Sequence, residues 1–345
     1  MSHSSGSISL EVDTTPWGGQ GRLVPTSHGA VSVIVCGDLD KPALLTYPDL
    51  ALDCVSSFQG LFSFPETSSF LLHNFCVYHI DIPGHEIGAA AISSTERLLS
   101  VEDLADQVED ICRFFELQNV MCMGVTAGAY ILCLFALKYQ ERVSGLILVS
   151  PICRSPSWTE WIQNKAMMNV LYFWGMCEYV QKKLLNRYFG ETCRNSYANT
   201  LFEYSRVLNE RQGINVMRFL KAINHRSDLT ARLRKLERRT LICVGEDSPF
   251  YHESIHFSNN LSPRYISLVE VQGCGSLVIE EQPDYMWKSM ESFLMEHGFQ
   301  RPVLLPRKSF SASNLLSPPC LQAQLFSLES YGLKLKPIKT RMLVV

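Results

Sequence analysis

The stretch "MGVTAGAYILCLFALKYQERVSGLILVSP", Met123 to Pro151, decides the architecture. A short apolar run, Val120 to Met123, leads into a glycine turn; Ala127 to Gln140 then carries a helical period, and Gly145 to Ser150 is again continuously apolar. Runs apolar at successive positions read as strands covered on both faces. Strand, helix and strand in this order imply parallel neighbours joined by a right-handed crossover. The turn keeps the spacing of the Gly-x-Ser-x-Gly elbow, in which a strand bends sharply into a helix and exposes its central residue at the top of the sheet. Gly124 and Gly128 are in place, and the central residue is Thr126.

Working outward, the same alternation continues. Val31 to Cys36, Ala43 to Thr46, Phe75 to Ile80, Thr240 to Val244 and Ile266 to Val271 read as further strands. Val101 to Phe115, with Ser100 as N-cap and acidic residues in its first turn, and Tyr285 to His297 read as helices. Between Ser155 and Arg239 the strands stop and helical patterns take over, which predicts a helical insertion over the sheet. "SWTE", Ser157 to Glu160, has capping-box spacing at the start of that insertion. The basic run "ARLRKLERR", Ala231 to Arg239, keeps Leu233 and Leu236 three apart for packing and predicts a solvated helix face. Val120 to Leu137 carries no charge over 18 residues, the length at which a membrane span is considered. Its two glycines favour a buried strand, turn and helix instead.

Composition narrows the function classes. A formal net charge of -3 over 345 residues supplies no field for nucleic acid, which excludes it as a partner class. The 12 cysteines lie mostly inside apolar runs and contain no Cys-x-x-Cys pair, the usage of reduced intracellular thiols rather than of a disulfide or zinc framework. Neither a metal nor a cofactor is called for. The N-terminus has no basic start followed by an apolar core, so no signal peptide is expected. These features place the protein in the cytoplasm, without a transmembrane segment.

Several motifs together resemble the α/β-hydrolase superfamily. Met123 to Pro151 matches its elbow, helix, "ERV" turn and following strand; "HIDIPGHEIGA", His79 to Ala89, resembles the Asp-x-x-Gly-His-Gly loop; "EEQPD", Glu280 to Asp284, resembles the Glu-Gln-Pro that opens the last helix. The resemblance implies a mostly parallel central sheet flanked by helices, with a helical cap insertion. It also places a nucleophile, an acid and a base. At the nucleophile position stands Thr126, whose β-branch suits the strained elbow poorly. At the acid position, in "VGEDSPF", stands Ser248, with Asp247 adjacent. At the base position, in "VQGCGSLVIEEQP", stands Ser276, and a serine does not act as a base near neutral pH. His85 in "PGHEIG" has a structural place in the matched loop, and His252, His256 and His297 lie off the base position.

"LLTYPDLALDC" (Leu44 to Cys54), "LLHNFCVYHIDIPGHEIGAA" (Leu71 to Ala90), "GVTAGAYIL" and "LVSPICRSPSWTEW" (Leu148 to Trp161) narrow the resemblance to the N-myc downstream-regulated family, and to its plant N-myc downregulated-like branch. That resemblance implies an α/β-hydrolase fold that has lost its hydrolase site and serves as a signalling adaptor in development and stress responses. The implied partner is the heterotrimeric G-protein βγ dimer, with a regulator-of-G-protein signalling protein nearby, a role in auxin transport, and recruitment to the plasma membrane through partners. Two alternatives stay open: a surviving hydrolase using Thr126 with a relocated base such as His252 or His256, and a lipid or small-molecule binding protein using the vacated pocket.

The expected organisation is an N-terminal segment over 1–22, an α/β-hydrolase-like domain over 23–299 with its cap at about 155–235, and a disordered tail over 300–345. The tail is rich in Ser, Pro and isolated Leu, and it is basic: Arg301, Arg307, Lys308, Lys334, Lys336, Lys339 and Arg341 stand against Glu329 alone. Ser309 and Ser311, beside Arg307 and Lys308, are candidate phosphorylation sites.

Overall fold

The computed structural model describes residues 17–301. Ser309, Ser311 and nearly all of the basic tail therefore lie outside the described residues. Eight strands form one sheet in the order β1-β2-β4-β3-β5-β6-β7-β8. They are β1 Gln20–Thr26, β2 Gly29–Cys36, β3 Ala43–Tyr47, β4 Cys76–Ile80, β5 Val120–Val125, β6 Val143–Val149, β7 Arg239–Gly245 and β8 Ile266–Val271. β2 runs antiparallel to both β1 and β4, and every pairing from β4 to β8 is parallel. The mostly parallel sheet is thus the one the apolar runs require. β1 was not foreseen: "QGRLVPT" buries Val24 alone and carries Pro25, so it has no strand signature beyond its pairing with β2.

Helices α1 Cys54–Phe62, α2 Pro65–Asn74, α3 Val101–Phe114 and α4 Ala127–Lys138 occupy the first half of the sheet's crossovers. Ser100 caps α3 with a complete capping box through Asp103. α1 is capped in the same way by Asp53 and Ser56, a signal hidden in sequence because Ser56 replaces the usual Glu or Gln. Every residue of α4 from Ala127 to Ala136 is buried, and β5 is buried throughout. This explains the uncharged run: an element apolar on all sides belongs inside the protein. Among the described residues, no helix is long and apolar enough to cross a membrane.

Between β6 and β7 the chain forms α5 Trp158–Trp174, α6 Glu178–Tyr188, α7 Glu191–Ser196, α8 Ala198–Asn209, α9 Gly213–Ile223 and α10 Thr230–Leu233. Two expectations are corrected here. Ser157 Oγ accepts from Glu160 N–H at 3.2 Å, but the Glu160 carboxylate does not return to the cap; Arg226 holds it, at 2.8 and 3.0 Å. The basic run is mostly not helical, since α10 ends at Leu233; Leu233 and Leu236 are buried as their spacing demanded. α11 Tyr251–Asn259, α12 Val278–Glu281 and α13 Pro283–Glu296 complete the layers. The described cysteines are all free thiols, and all but Cys177 are buried.

Candidate functional site

Thr126 follows the C-terminal end of β5, Ser248 that of β7 and Ser276 that of β8, so the three predicted positions lie at one edge of the sheet. Thr126 links β5 directly to α4, at φ 44° and ψ −95°. A β-branched residue at positive φ is a genuine outlier, costing on the order of 1–3 kcal/mol. Thr126 adopts the strained elbow that its β-branch suits poorly, and the surroundings show what holds it there. Thr126 N–H donates to Val149 O at 2.8 Å, and its carbonyl accepts from Tyr130 N–H, the first bond of α4. The flanking glycines leave the turn no other path. A Cβ on Gly124 would meet Ala129 N at 2.7 Å, and one on Gly128 would meet Tyr47 O at 2.3 Å and Pro48 O at 2.4 Å.

The Thr126 hydroxyl is fully buried and has no hydrogen-bond partner. Among the described residues no base is hydrogen-bonded to it. His256 Nε2 instead contacts Thr230 Oγ1 at 3.3 Å, and His252 lies exposed beside Tyr251. His297 Nδ1 contacts Phe293 O at 2.8 Å. Ser248 and Ser276 do meet: their hydroxyls are 2.8 Å apart, both residues are buried, and Ser248 Oγ also accepts from Phe250 N–H. Ser276 is tied to the end of β6 by Ser150 Oγ, which donates to its carbonyl at 3.0 Å. Two hydroxyls bonded to each other hold a turn together but take up no proton at neutral pH. Asp247 is exposed, one residue off this pair.

Sequence reasoning missed the most telling residue. In an elbow used for acyl transfer, the N–H after the nucleophile and an N–H from the loop after β3 receive the developing oxyanion. Here that loop sends a carboxylate. Asp49 Oδ1 accepts from Ala127 N–H at 3.1 Å, at the N-terminus of α4 where the helix dipole favours negative charge. Arg187 from α6 clamps the same carboxylate with two hydrogen bonds, Nε to Oδ2 at 2.8 Å and Nη2 to Oδ1 at 2.9 Å. Its guanidinium also lies over the Phe250 ring, 4.5 Å from the centroid. The ionised partner beside Arg187 pushes its pKa further up against the opposing effect of burial. An acidic residue in the apolar loop "TYPDLALDC" is the one signal of this in sequence.

More latches fix the cap over this edge. Tyr188 OH donates to Leu50 O at 2.5 Å, and Tyr204 OH to Ser56 O at 2.6 Å. Arg211 donates to Asp53 Oδ2 at 2.6 Å and to His85 O. His85 packs edge-on against Phe219, and burial, then Arg211, lowers its pKa to about 3, so it stays neutral as a structural residue. Glu281 accepts from Gly275 N–H at 2.7 Å and from Gly190 N–H at 3.1 Å. Glu280 accepts from Gly60 N–H at 2.6 Å. Burial raises both carboxyls to about 7. Asp81 is also raised to about 7, first by burial and then by Asp53.

Two cavities lie elsewhere. One of about 450 Å³, lined by Lys41, Tyr78, Phe115 and Asn119 among others, opens at the N-terminal ends of the parallel strands. The other, about 30 Å³, lies between Pro83, Leu104 and Phe219. Neither is lined by Thr126, Ser248 or Ser276. Among the described residues no three His, Cys, Asp or Glu side chains are grouped to hold a metal ion.

Sheet order, elbow and cap define an α/β-hydrolase fold. A thermophilic esterase from Thermogutta terrifontis superimposes with a TM-score of 0.69 at 19% identity, covering 80% of this chain and 98% of the esterase, which establishes the shared fold. The Ndr family profile matches residues 22–301, and the chain belongs to that family. It is 54% identical to protein NDL1 of Arabidopsis thaliana, over 99% of both chains, and 47% identical to the pollen-specific protein SF21 of Helianthus annuus, over 99% of this chain and 97% of SF21.

Proposed function

We propose that the protein is a non-catalytic signalling adaptor on an α/β-hydrolase fold, with the nucleophile, acid and base positions held by Thr126, Ser248 and Ser276. One observation carries this reading: the Asp49 carboxylate, fixed by Arg187, occupies the Ala127 N–H that an oxyanion needs. A substrate carbonyl would have to displace a paired internal anion, and the Thr126 hydroxyl has no base beside it. The partner we assign is the heterotrimeric G-protein βγ dimer, together with a regulator-of-G-protein signalling protein. The role is to modulate auxin transport, development and stress responses from the cytoplasm, with recruitment to the plasma membrane through these partners. Support for the partner is the family resemblance of the long motifs and the likeness to plant relatives across the whole chain.

The test uses the purified full chain. Retention on immobilised βγ dimer, and hydrolysis of acyl esters no faster than buffer, are expected. Ester turnover that falls on Thr126→Ala, or no retention on the dimer, would sink the reading.

A further inference from the structure

Among the described residues, the cap carries a helix face that the fold leaves uncovered. α5 packs through Asn164, Met168 and Leu171, and its Glu160 is held by Arg226. At 100° per residue these positions share one side of the helix. The opposite side also presents apolar groups: Trp158 and Phe173 are 72% and 69% exposed, and Ile162, four residues beyond Trp158, lies between them on the same face together with the exposed Asn169. At the corner into α6, where Gly175 turns the chain at φ +65°, Tyr172, Trp174 and Tyr179 are exposed too. An exposed helix with apolar residues on both sides is unfinished: the outer side calls for a covering.

Charge decides among the possible coverings. α5 and α6 together carry Lys165, Lys182, Lys183 and Arg187 against Glu160 and Glu178. Arg187 is neutralised by Asp49 and Glu160 by Arg226, which leaves three lysines against Glu178, a net of +2. A second copy of the chain would set +2 against +2. The tail after Gln300 is itself basic and offers this face no complementary charge. The free cations are all lysine, a residue depleted at protein–protein interfaces, where arginine is enriched. Lys165 lies over the Trp161 ring at 5.3 Å and Lys183 over Tyr179 at 5.9 Å, so each stem follows an aromatic surface and keeps its ammonium free. Tryptophan and tyrosine are the side chains that favour the boundary between water and hydrocarbon.

We propose that the outer face of α5 and its corner into α6 bind an anionic lipid bilayer directly, with α5 lying in the plane of the interface. From Trp158 to Phe173 the helix extends about 22 Å, long enough for the aromatic groups at its two ends to enter the headgroup region together. The lysines meet anionic headgroups at the edge. This inference does not depend on the βγ assignment, because the contact involves lipid alone.

The test is flotation of the full-length protein with vesicles of phosphatidylcholine, with and without about 30% phosphatidylserine. Binding is expected to the anionic vesicles, to weaken with salt, and to be far lower on neutral ones. Phe173→Ser/Trp174→Ser should lower the partition coefficient about tenfold or more. Lys182→Glu/Lys183→Glu should lower it by a similar factor and remove most of the salt dependence. These side chains are exposed, so an unchanged circular dichroism spectrum is expected for both variants. Leu39→Ser, an exposed apolar residue outside the cap, should bind as wild type. Lipids brominated on their acyl chains should quench tryptophan emission in wild type and much less in Trp158→Phe/Trp174→Phe. Failure of the wild type to float with anionic vesicles would overturn the proposal. So would wild-type binding by both cap variants, since the basic tail would then be the contact. Capture of a purified protein partner on this face without any vesicle binding would overturn it too.

Discussion

Replacing Arg187 with methionine removes the clamp and leaves Asp49 with Ala127 N–H alone. The Asp49 side chain is 1% exposed and that of Arg187 is 16% exposed, so water compensates little. Breaking a buried ion pair from one side costs on the order of 3–5 kcal/mol. The partial exposure of Arg187 and the surviving amide bond place the expected loss at the lower end, about 3 kcal/mol. For a domain of this size that is a fall in Tm of roughly 5 °C. Asp49→Asn retains an acceptor for Ala127 N–H while removing the charge. In the Arg187→Met background it should therefore recover much of the loss. The assay is urea unfolding followed by tryptophan fluorescence for the wild type, both single variants and the double. A coupling energy of about 2–3 kcal/mol is expected from the cycle. A loss below about 1 kcal/mol for Arg187→Met, or coupling within about 0.5 kcal/mol of zero, refutes the argument that this pair is a buried latch.

Gly128→Ala pushes a Cβ into two backbone carbonyls that cannot move aside; we expect a loss of about 3 kcal/mol or more, or no soluble protein, in the same unfolding assay. Rebuilding the triad as Thr126→Ser/Ser248→Asp/Ser276→His is expected to leave p-nitrophenyl acetate untouched, because Ala127 N–H still serves Asp49. Adding Asp49→Ala/Arg187→Met should then raise the rate by about 100-fold, the usual worth of an oxyanion donor; a competent triple variant contradicts this. Glu280 has its folded pKa raised to about 7 from 4.5, mainly by burial. The folded state thus holds a proton that the unfolded chain releases over that window. Its contribution is full below about 4.5 and lost as pH rises through about 7. Calorimetry should give a higher Tm near pH 5 than near pH 8, with a shallower slope for Glu280→Gln; no change in slope would count against the assignment.

What could be read from sequence follows from how each element is buried. β3, β4 and β5 are covered on both faces, so each is apolar at nearly every position and stands out. Edge strand β1 buries one side chain in seven and does not. α1 and α2 are short, and α2 relies on Pro65 at its first turn rather than on a side-chain cap, which leaves little local signal. Thr126, Ser248 and Ser276 were locatable because each sits at a fixed offset from a glycine turn. The hydrogen bond between Ser248 and Ser276 was not, and neither was the Asp49–Arg187 pair, whose members are 138 residues apart. Nothing local to either residue reveals a contact that only the closed cap creates.

The latches also bear on how the chain reaches this structure. Arg187 to Asp49, Tyr204 to Ser56 and Arg211 to Asp53 span 138, 148 and 158 residues, so each closes a loop that contains β4, β5 and β6. Contacts that close such long loops come late, and a bond absent from the transition state slows unfolding without speeding folding. The cap of this protein therefore acts on lifetime. Loosening any of these three arginine or tyrosine contacts should leave the refolding rate nearly unchanged and shorten the native state's half-life.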